Sequence, residues 1–195
     1  MTLPGATARL VLALLVLAGC GDGRIDWGAP ENFLLREKST KTDDGVKLEY
    51  WSLVDAPAQA VYEALADIEH FPDFVPGVDS VQLLEGGNAN KTVQIAQRVI
   101  GRQANAKVRW SLVPERHRIE FTTLVSNLSR NDGSYEIEPS PDGTRCLVRS
   151  TFLVREGEGQ AQSVPIGVLV SGTRESFLAA ARGVKQRAAG TKRAQ

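Results

Sequence analysis

The chain has 195 residues, 42% hydrophobic and 24% charged, which is the balance of an ordinary globular domain with extensions. Its 23 basic and 23 acidic side chains give a formal net charge of zero, and no stripe of Lys and Arg with interleaved aromatic residues occurs. Nucleic-acid binding therefore has no electrostatic support, and we expect no nucleic-acid partner.

The first 19 residues predict a bacterial lipoprotein signal peptide. Arg9 precedes an apolar stretch, residues 10–18, which is too short to span a bilayer. The stretch ends in Leu17-Ala18-Gly19-Cys20, which resembles a lipobox. This resemblance implies a diacylglycerol on Cys20, a lipid-anchored protein of the bacterial cell envelope that faces the periplasm, and, because Gly21 follows, the outer membrane rather than the inner. The alternative is an ordinary secretory signal peptide.

Residues 20–44 are predicted to be the lipidated N-terminus and a tether, because they are rich in glycine and end in a polar run, residues 38–44. Fully extended, such a tether reaches at most about 80 Å. Trp27 and the segment Phe33-Leu34-Leu35 interrupt its polarity and are expected to pack on the domain or to add an edge strand. With Cys20 lipidated, Cys146 is the remaining thiol, so no intrachain disulfide is expected.

The alternation of Val46–Val54 predicts a half-buried strand. Asp55-Ala56-Pro57 ends this strand, and Asp55 is expected to cap a helix over residues 58–67. Pro72 and Pro76 limit a second short helix, after which residues 78–84 predict another strand.

Five more strands follow at hairpin spacing, over residues 91–100, 103–113, 117–124, 129–137 and 144–155. A long helix from Pro165 to about Ala189 comes next, with Val168, Leu169 and Phe177 on its inner face, and residues 190–195 form a polar tail. The predicted fold class is α+β: a curved antiparallel sheet of about seven strands, with two short helices after the first strand and a long C-terminal helix.

Three motifs resemble the START-like (SRPBCC) helix-grip superfamily, within it the polyketide cyclase/dehydrase or coenzyme Q-binding group. They are Asp55-Ala56-Pro57, Phe71-Pro72 and the helix that follows Val164-Pro165-Ile166. The similarity covers about residues 46–188, and the domain is placed at residues 45–189. It implies a cavity between the sheet and the C-terminal helix that holds a lipid, an isoprenoid or quinone, or a polyketide-like molecule. Members of the superfamily include carriers as well as enzymes.

Inward positions on the strands and helices supply the candidate ligand-binding residues, although filling a closed core is the competing explanation. Tyr135 and Ser150 would give polar contacts in a mostly apolar cavity. The candidate set is Phe71, Phe74, Val93, Ile95, Val108, Trp110, Phe121, Tyr135, Ser150, Phe152, Leu169 and Phe177.

No catalytic residue, metal site or cofactor is predicted. His70 and His117 lack metal-ligand spacing, no Gly-x-Ser-x-Gly motif occurs, and no inward ionisable group is expected unless His117 faces the cavity. Arg145, Arg149 and Arg155 form a basic stripe on the last strand, expected to be a solvated face.

Three hypotheses therefore stand. The first is a membrane-anchored module that binds or carries an apolar small molecule. The second is a cyclase/dehydrase-type enzyme that uses the same cavity through His117 or Tyr135. The third is an envelope lipoprotein with a closed core and a protein partner.

Overall fold

A computed structural model describes residues 25–156 and 164–191, so the predicted signal peptide, Cys20 and the end of the polar tail lie outside the described residues. The elements are β1 (Asn32–Thr42), β2 (Gly45–Val54), α1 (Ala58–Ala66), a 3₁₀ turn (Ile68–His70), α2 (Phe71–Phe74), β3 (Val78–Gly86), β4 (Asn90–Val99), β5 (Arg102–Val113), a second 3₁₀ turn (Pro114–Arg116), β6 (Arg118–Ser126), β7 (Ser129–Pro139), β8 (Cys146–Glu156) and α3 (Ile166–Thr191).

All eight strands form one antiparallel sheet in the order β1-β2-β8-β7-β6-β5-β4-β3. The long helix α3 packs against α1, α2 and the strands β2 and β8, so it lies along the inner face of the sheet. This arrangement is the predicted α+β helix-grip fold, with eight strands where about seven were expected.

The additional strand is β1, which occupies residues predicted to be tether. It pairs antiparallel with β2, for example Glu37 with Tyr50 and Thr40 with Lys47. Most of β1 is exposed. An edge strand outside the core can be polar on both faces, which explains why the composition of β1 resembles that of a linker. The alternative that Phe33-Leu34-Leu35 adds an edge strand is confirmed, and the sheet extends into residues that were predicted to be tether.

The segment before β1 is also fixed to the domain. Arg145 donates hydrogen bonds through Nη1 to the carbonyl oxygens of Trp27 and Ala29, the latter at 2.7 Å. Glu31 accepts a hydrogen bond from the Asp55 backbone N–H at 3.0 Å and pairs with Lys185 of α3 at 2.7 Å. Residues 27–31 of the predicted tether are therefore held against the domain, and residues 20–24 lie outside the described residues.

Asp55 does not cap α1, contrary to prediction. Pro57 occupies the N-cap position, and no side chain caps the helix. The Asp55 carboxylate instead pairs with Arg145 Nε at 2.5 Å. The predicted basic stripe is likewise neutralised, since Arg149 pairs with Glu138 at 2.8 Å and Arg155 with Asp132 at 2.6 Å.

The inner face of α3 carries Leu169, Phe177 and Val184, each at most 5% exposed. Val168 was predicted to share that face but is 41% exposed, because the turn of about 100° between adjacent residues carries its side chain away from the side that Leu169 occupies. None of the described helices is both long and apolar enough to cross a membrane.

Candidate functional site

A cavity of about 150 Å³ lies between α3 and the inner face of the sheet. Its walls follow from strand alternation, since Ala104, Ala106, Val108 and Trp110 all point inward from β5. Two of these four side chains are alanines, which leave room beneath the helix. The small side chains of β5 are thus one physical reason why α3 does not close the core completely.

One end of the cavity is walled by aromatic rings. Trp110 stacks on Phe121 with centroids 5.4 Å apart, and Tyr135 lies 5.4 Å from Phe121. Phe152 lies 5.6 Å from Phe121 across β7, where Gly133 stands between them in the register. A Cβ at Gly133 would come within 2.8 Å of the Phe121 ring, so the glycine allows the rings of two strands to meet over β7.

The other end is polar. Thr123 donates its hydroxyl to the Asn131 carbonyl at 2.7 Å and accepts the Asn131 backbone N–H at 3.1 Å. The Asn131 side-chain amide reaches the Thr173 hydroxyl of α3 at 3.5 Å. Further polar lining residues are Gln97, Arg98, Ser126, Ser129 and Ser176.

Pro76, Gly77 and Arg98 are the lining residues that are exposed to solvent, and we call them the entrance. They are held together by a 2.7 Å hydrogen bond from the Arg98 N–H to the Gly77 carbonyl. The Arg98 side chain also pairs with Asp79 at 3.3 Å. The cavity therefore opens between the α2–β3 connection and the end of β4, beside α3.

Two polar atoms in the wall have no hydrogen-bond partner among the described residues. They are the Trp110 indole Nε1, a donor, and the Asn131 side-chain oxygen, an acceptor. Each unsatisfied buried group costs about 1–3 kcal/mol. A bound molecule with a hydrogen-bond acceptor near Trp110 and a donor near Asn131 would remove both costs.

A second, smaller cavity of about 30 Å³ shares Tyr135, Phe177 and Ala180 with the first. Ser150 lines it, is 2% exposed and has a hydroxyl without a partner among the described residues. The small cavity thus extends the site towards α1 without widening the entrance.

Eight of the twelve predicted ligand-binding residues line the main cavity: Phe71, Ile95, Val108, Trp110, Phe121, Tyr135, Phe152 and Phe177. Ser150 lines the small one. Phe74, Val93 and Leu169 line neither: Phe74 packs edge-on against Phe71, and the other two are buried in the surrounding core. Sequence reasoning missed Thr123 and Asn131, although strand alternation alone places both on the inner face.

Tyr135 and Arg98 are the ionisable side chains among the described residues that line the cavity. Burial raises the pKa of the Tyr135 phenol well above its ordinary value, so the hydroxyl stays neutral and can donate a hydrogen bond. His117, which would have been an inward base only if it faced the cavity, has a ring nitrogen 2.9 Å from the Gln59 side-chain oxygen. Its left-handed backbone, φ +44°, ends the second 3₁₀ turn and directs it away from the cavity.

Neither Cys146 nor a cluster of metal-binding side chains supplies a reactive group among the described residues. Cys146 is fully buried, and burial raises its thiol pKa to about 12, which makes it inert. Within residues 25–156 and 164–191, no three His, Cys, Asp or Glu side chains converge in a way that could hold a metal ion.

Both the sequence and the structure are similar to those of known proteins. A family model described as polyketide cyclase / dehydrase and lipid transport matches residues 54–182. The actinorhodin polyketide synthase bifunctional cyclase/dehydratase of Streptomyces coelicolor is 30% identical over 99 residues, which is 50% of this chain but 31% of that protein. The chain thus spans under a third of the length of this curated relative.

Two solved structures share the fold. The Zhui aromatase/cyclase from Streptomyces sp. R1128 superposes with a TM-score of 0.61 at 22% identity, over 73% of this chain and 92% of that one. A START superfamily protein from Mycobacterium smegmatis superposes with a TM-score of 0.63 at 15% identity, over 74% and 98%.

Proposed function

Because the chain belongs to the polyketide cyclase / dehydrase and lipid transport family, we propose that it binds or carries an apolar small molecule in the cavity between the sheet and α3. The observation that carries this proposal is a cavity with an aromatic end and a polar end, each with one unpartnered polar atom, Trp110 Nε1 and Asn131 Oδ1. An apolar surface lined by Trp110, Phe121 and Phe152 favours burial of a ring at about 25 cal/mol per Å².

The size of the cavity favours a small ligand. A cavity of about 150 Å³ accommodates a molecule the size of benzene, whereas sites for larger ligands measure about 300–1,000 Å³. The polar end, with Thr173 and Asn131, favours a hydroxyl or carbonyl on the same molecule. A small ring-bearing amphiphile therefore fits better than a long-chain lipid or a full-length polyketide, which would need α3 to move outward.

We further propose that the protein is a lipoprotein of the bacterial cell envelope, held on the periplasmic side of the outer membrane through Cys20. The lipobox-like Leu17-Ala18-Gly19-Cys20 supports this part of the proposal. A Cys20→Ser variant exported with a cleavable secretory signal peptide should lose lipid labelling and move from the membrane to the soluble fraction. If it stays in the membrane fraction, the anchor is elsewhere. Cross-linking in intact cells would reveal an envelope protein partner.

Filling the cavity tests ligand binding. Ala180 on α3 lines both cavities, so Ala180→Phe should weaken binding of phenol, a single ring with one hydroxyl, by at least about tenfold in a calorimetric titration. Ala189→Phe, on an exposed position of the same helix, is the matched control and should bind as the unmodified protein does. Ala106→Leu fills the cavity from the sheet, should a phenylalanine on α3 prevent folding. Unchanged affinity in folded variants would exclude the cavity as the site.

One observation favours a second function, a cyclase/dehydrase-type reaction. The unpartnered Trp110 N–H could polarise a carbonyl of a reacting chain. The absence of a lining group that titrates near neutral pH, among the described residues, weighs against it. Trp110→Phe keeps an aromatic ring at this position and removes the donor; loss of turnover with retained binding would favour the enzyme over the carrier.

A further inference from the structure

The long helix α3 presents two opposite flanks. Gly172 and Gly183 are eleven residues apart, about three full turns, and therefore lie on one flank. Arg174 and Lys185 are also eleven residues apart and lie about 200° around the helix from the glycines. We call these the glycine flank and the ion-pair flank.

The entrance lies on the glycine flank. A Cβ at Gly172 would meet Val99 Cγ1 at 2.6 Å, and one at Gly183 would meet the Phe74 carbonyl oxygen at 1.9 Å. Val99 follows Arg98, and Phe74 precedes Pro76, so the two glycine contacts border the entrance on either side. Thr173, Ser176 and Ala180, which lie between the two glycines in the chain, line the cavity behind it.

The route to the proposed anchor lies on the ion-pair flank. Lys185 pairs with Glu31 at 2.7 Å, and Arg174 pairs with Glu37 at 2.9 Å. From Glu31 the chain runs back towards its N-terminus to Trp27, whose carbonyl oxygen accepts a hydrogen bond from Arg145. Six residues lie between Cys20 and Trp27, so the two are at most about 25 Å apart whatever the conformation of the connecting chain. A domain of about 160 residues has a diameter of roughly 40 Å.

We propose that the entrance faces away from the bilayer that holds Cys20 and that the cavity exchanges its ligand with the aqueous side of the anchored protein. This inference rests on the anchoring and binding of the proposed function. Because the chain leaves the domain on the ion-pair flank and spans at most about 25 Å to Cys20, this short connection favours orientations in which the ion-pair flank, rather than the entrance on the glycine flank, lies next to the bilayer. The cavity then serves small amphiphiles that dissolve in water, in agreement with its volume.

The native cysteines make a direct test straightforward. Cys20 is blocked by lipid, and buried Cys146 has a thiol pKa of about 12, so one introduced cysteine can be labelled selectively. Ser80→Cys places a dye on an exposed position beside the entrance, and Asp26→Cys places one on the exposed segment near the anchor. The lipidated protein is reconstituted into vesicles of phosphatidylethanolamine and phosphatidylglycerol that contain a headgroup nitroxide quencher.

We expect the nitroxide to quench the dye at position 26 by more than half and the dye at position 80 by less than one tenth. A 20-residue Gly/Ser insertion after Gly23 should raise quenching at position 80 severalfold, because the longer chain permits rotation. Equal quenching at both positions with the native chain would overturn the orientation.

Anchoring and ligand binding are checked on the same samples, so that a failure of the proposed orientation can be distinguished from a failure of the proposed function. Flotation with the vesicles reports anchoring, and phenol added in water, followed by the change in tryptophan fluorescence of the protein, reports binding. Binding with the same affinity and within about twofold of the rate of the soluble Cys20→Ser form supports an aqueous entrance. Binding to the soluble form together with a tenfold slower rate in the anchored form would overturn it while leaving the binding function intact.

Discussion

The two flanks of α3 hold the helix by different forces. On the glycine flank, the backbone of α3 approaches the Phe74 carbonyl so closely that no side chain fits at Gly183. On the ion-pair flank, Arg174 and Lys185 reach β1 and its preceding segment through side chains that are about a third exposed. Steric contact is short-ranged and unaffected by salt, whereas exposed ion pairs are weak and screened. The glycine flank therefore sets the position of α3 over the cavity, and the ion pairs of the other flank contribute only a little to stability.

The largest effect is expected at Gly183. In Gly183→Ala the new Cβ would lie 1.9 Å from the Phe74 carbonyl oxygen, so α2 and α3 must separate. We expect the free energy of unfolding to fall by about 2–3 kcal/mol, as in other overpacked cores, measured by urea denaturation. Ligand affinity should change as well, since the contact borders the entrance.

Gly190→Ala is the matched control for this substitution. Gly190 lies in the same helix, and apart from its own turn of helix no atom of the described residues lies within 4 Å of the added methyl group, so alanine should stabilise by up to about 1 kcal/mol through helix propensity. If Gly183→Ala stabilised by the same amount, the close approach to Phe74 would be disproved.

A smaller loss is expected at Gly172. The new methyl group would meet the side chains of Val99 and Ile100, at 2.6 and 2.7 Å, rather than backbone. Ile100 is 52% exposed at the β4–β5 turn and can move, so Gly172→Ala should cost only about 1 kcal/mol. Combining it with Ile100→Ala should recover part of the loss in a double-mutant cycle. Strict additivity would show that the two residues do not touch.

These glycines show where sequence reasoning stops. Strand alternation placed Trp110, Phe121, Tyr135 and Phe152 on one inner face, because the period of two is independent of tertiary context. A glycine within a helical pattern predicts only a local loss of helix propensity. That Gly183 admits the Phe74 carbonyl depends on a contact between elements far apart in the chain, and no local pattern encodes it.

The same limit explains the errors at β1 and Asp55. An edge strand that is exposed on both faces needs no alternation, so β1 has the composition of a linker. Asp55 stands where a capping residue would, but Arg145, 90 positions later, takes its carboxylate. The cavity volume could not be predicted either, because it depends on how closely α3 approaches Ala104 and Ala106.

On the ion-pair flank we expect electrostatics to contribute modestly to the free energy of unfolding. Lys185 and Glu31 should show a coupling energy of about 0.5–1 kcal/mol in a double-mutant cycle at low salt, because their side chains are partly buried. The coupling should fall at 0.5 M NaCl. The pair Lys38–Glu49, at 3.9 Å and more exposed, is the control and should show almost none. A salt-independent coupling would mean that packing, not charge, holds this flank.

The smallest effect is expected from an electrostatic contact next to the glycine flank. Asp67 binds His70 at 2.5 Å and Arg187 of α3 at 3.3 Å, and Arg187 also lies over the Phe74 ring. The hydrogen bond with Asp67, and then the charge of that carboxylate, raise the pKa of His70. Since the pKa is higher in the folded state, the stabilisation is complete below the unfolded value of about 6.5 and is lost as the pH rises through the folded value.

The melting temperature should therefore fall slightly between pH 6 and pH 8, and His70→Gln should abolish this part of the pH dependence. An NMR titration of the His70 ring gives its pKa directly, and His117 provides an internal comparison. A pH dependence that survives in His70→Gln would assign it to another group. The effect must be small even if the sign is right, because His70 is exposed and Arg187 keeps its pairing with Asp67 after His70 loses its proton. Steric contact at Gly183 would then still fix α3 beside the entrance at every pH at which the protein is folded.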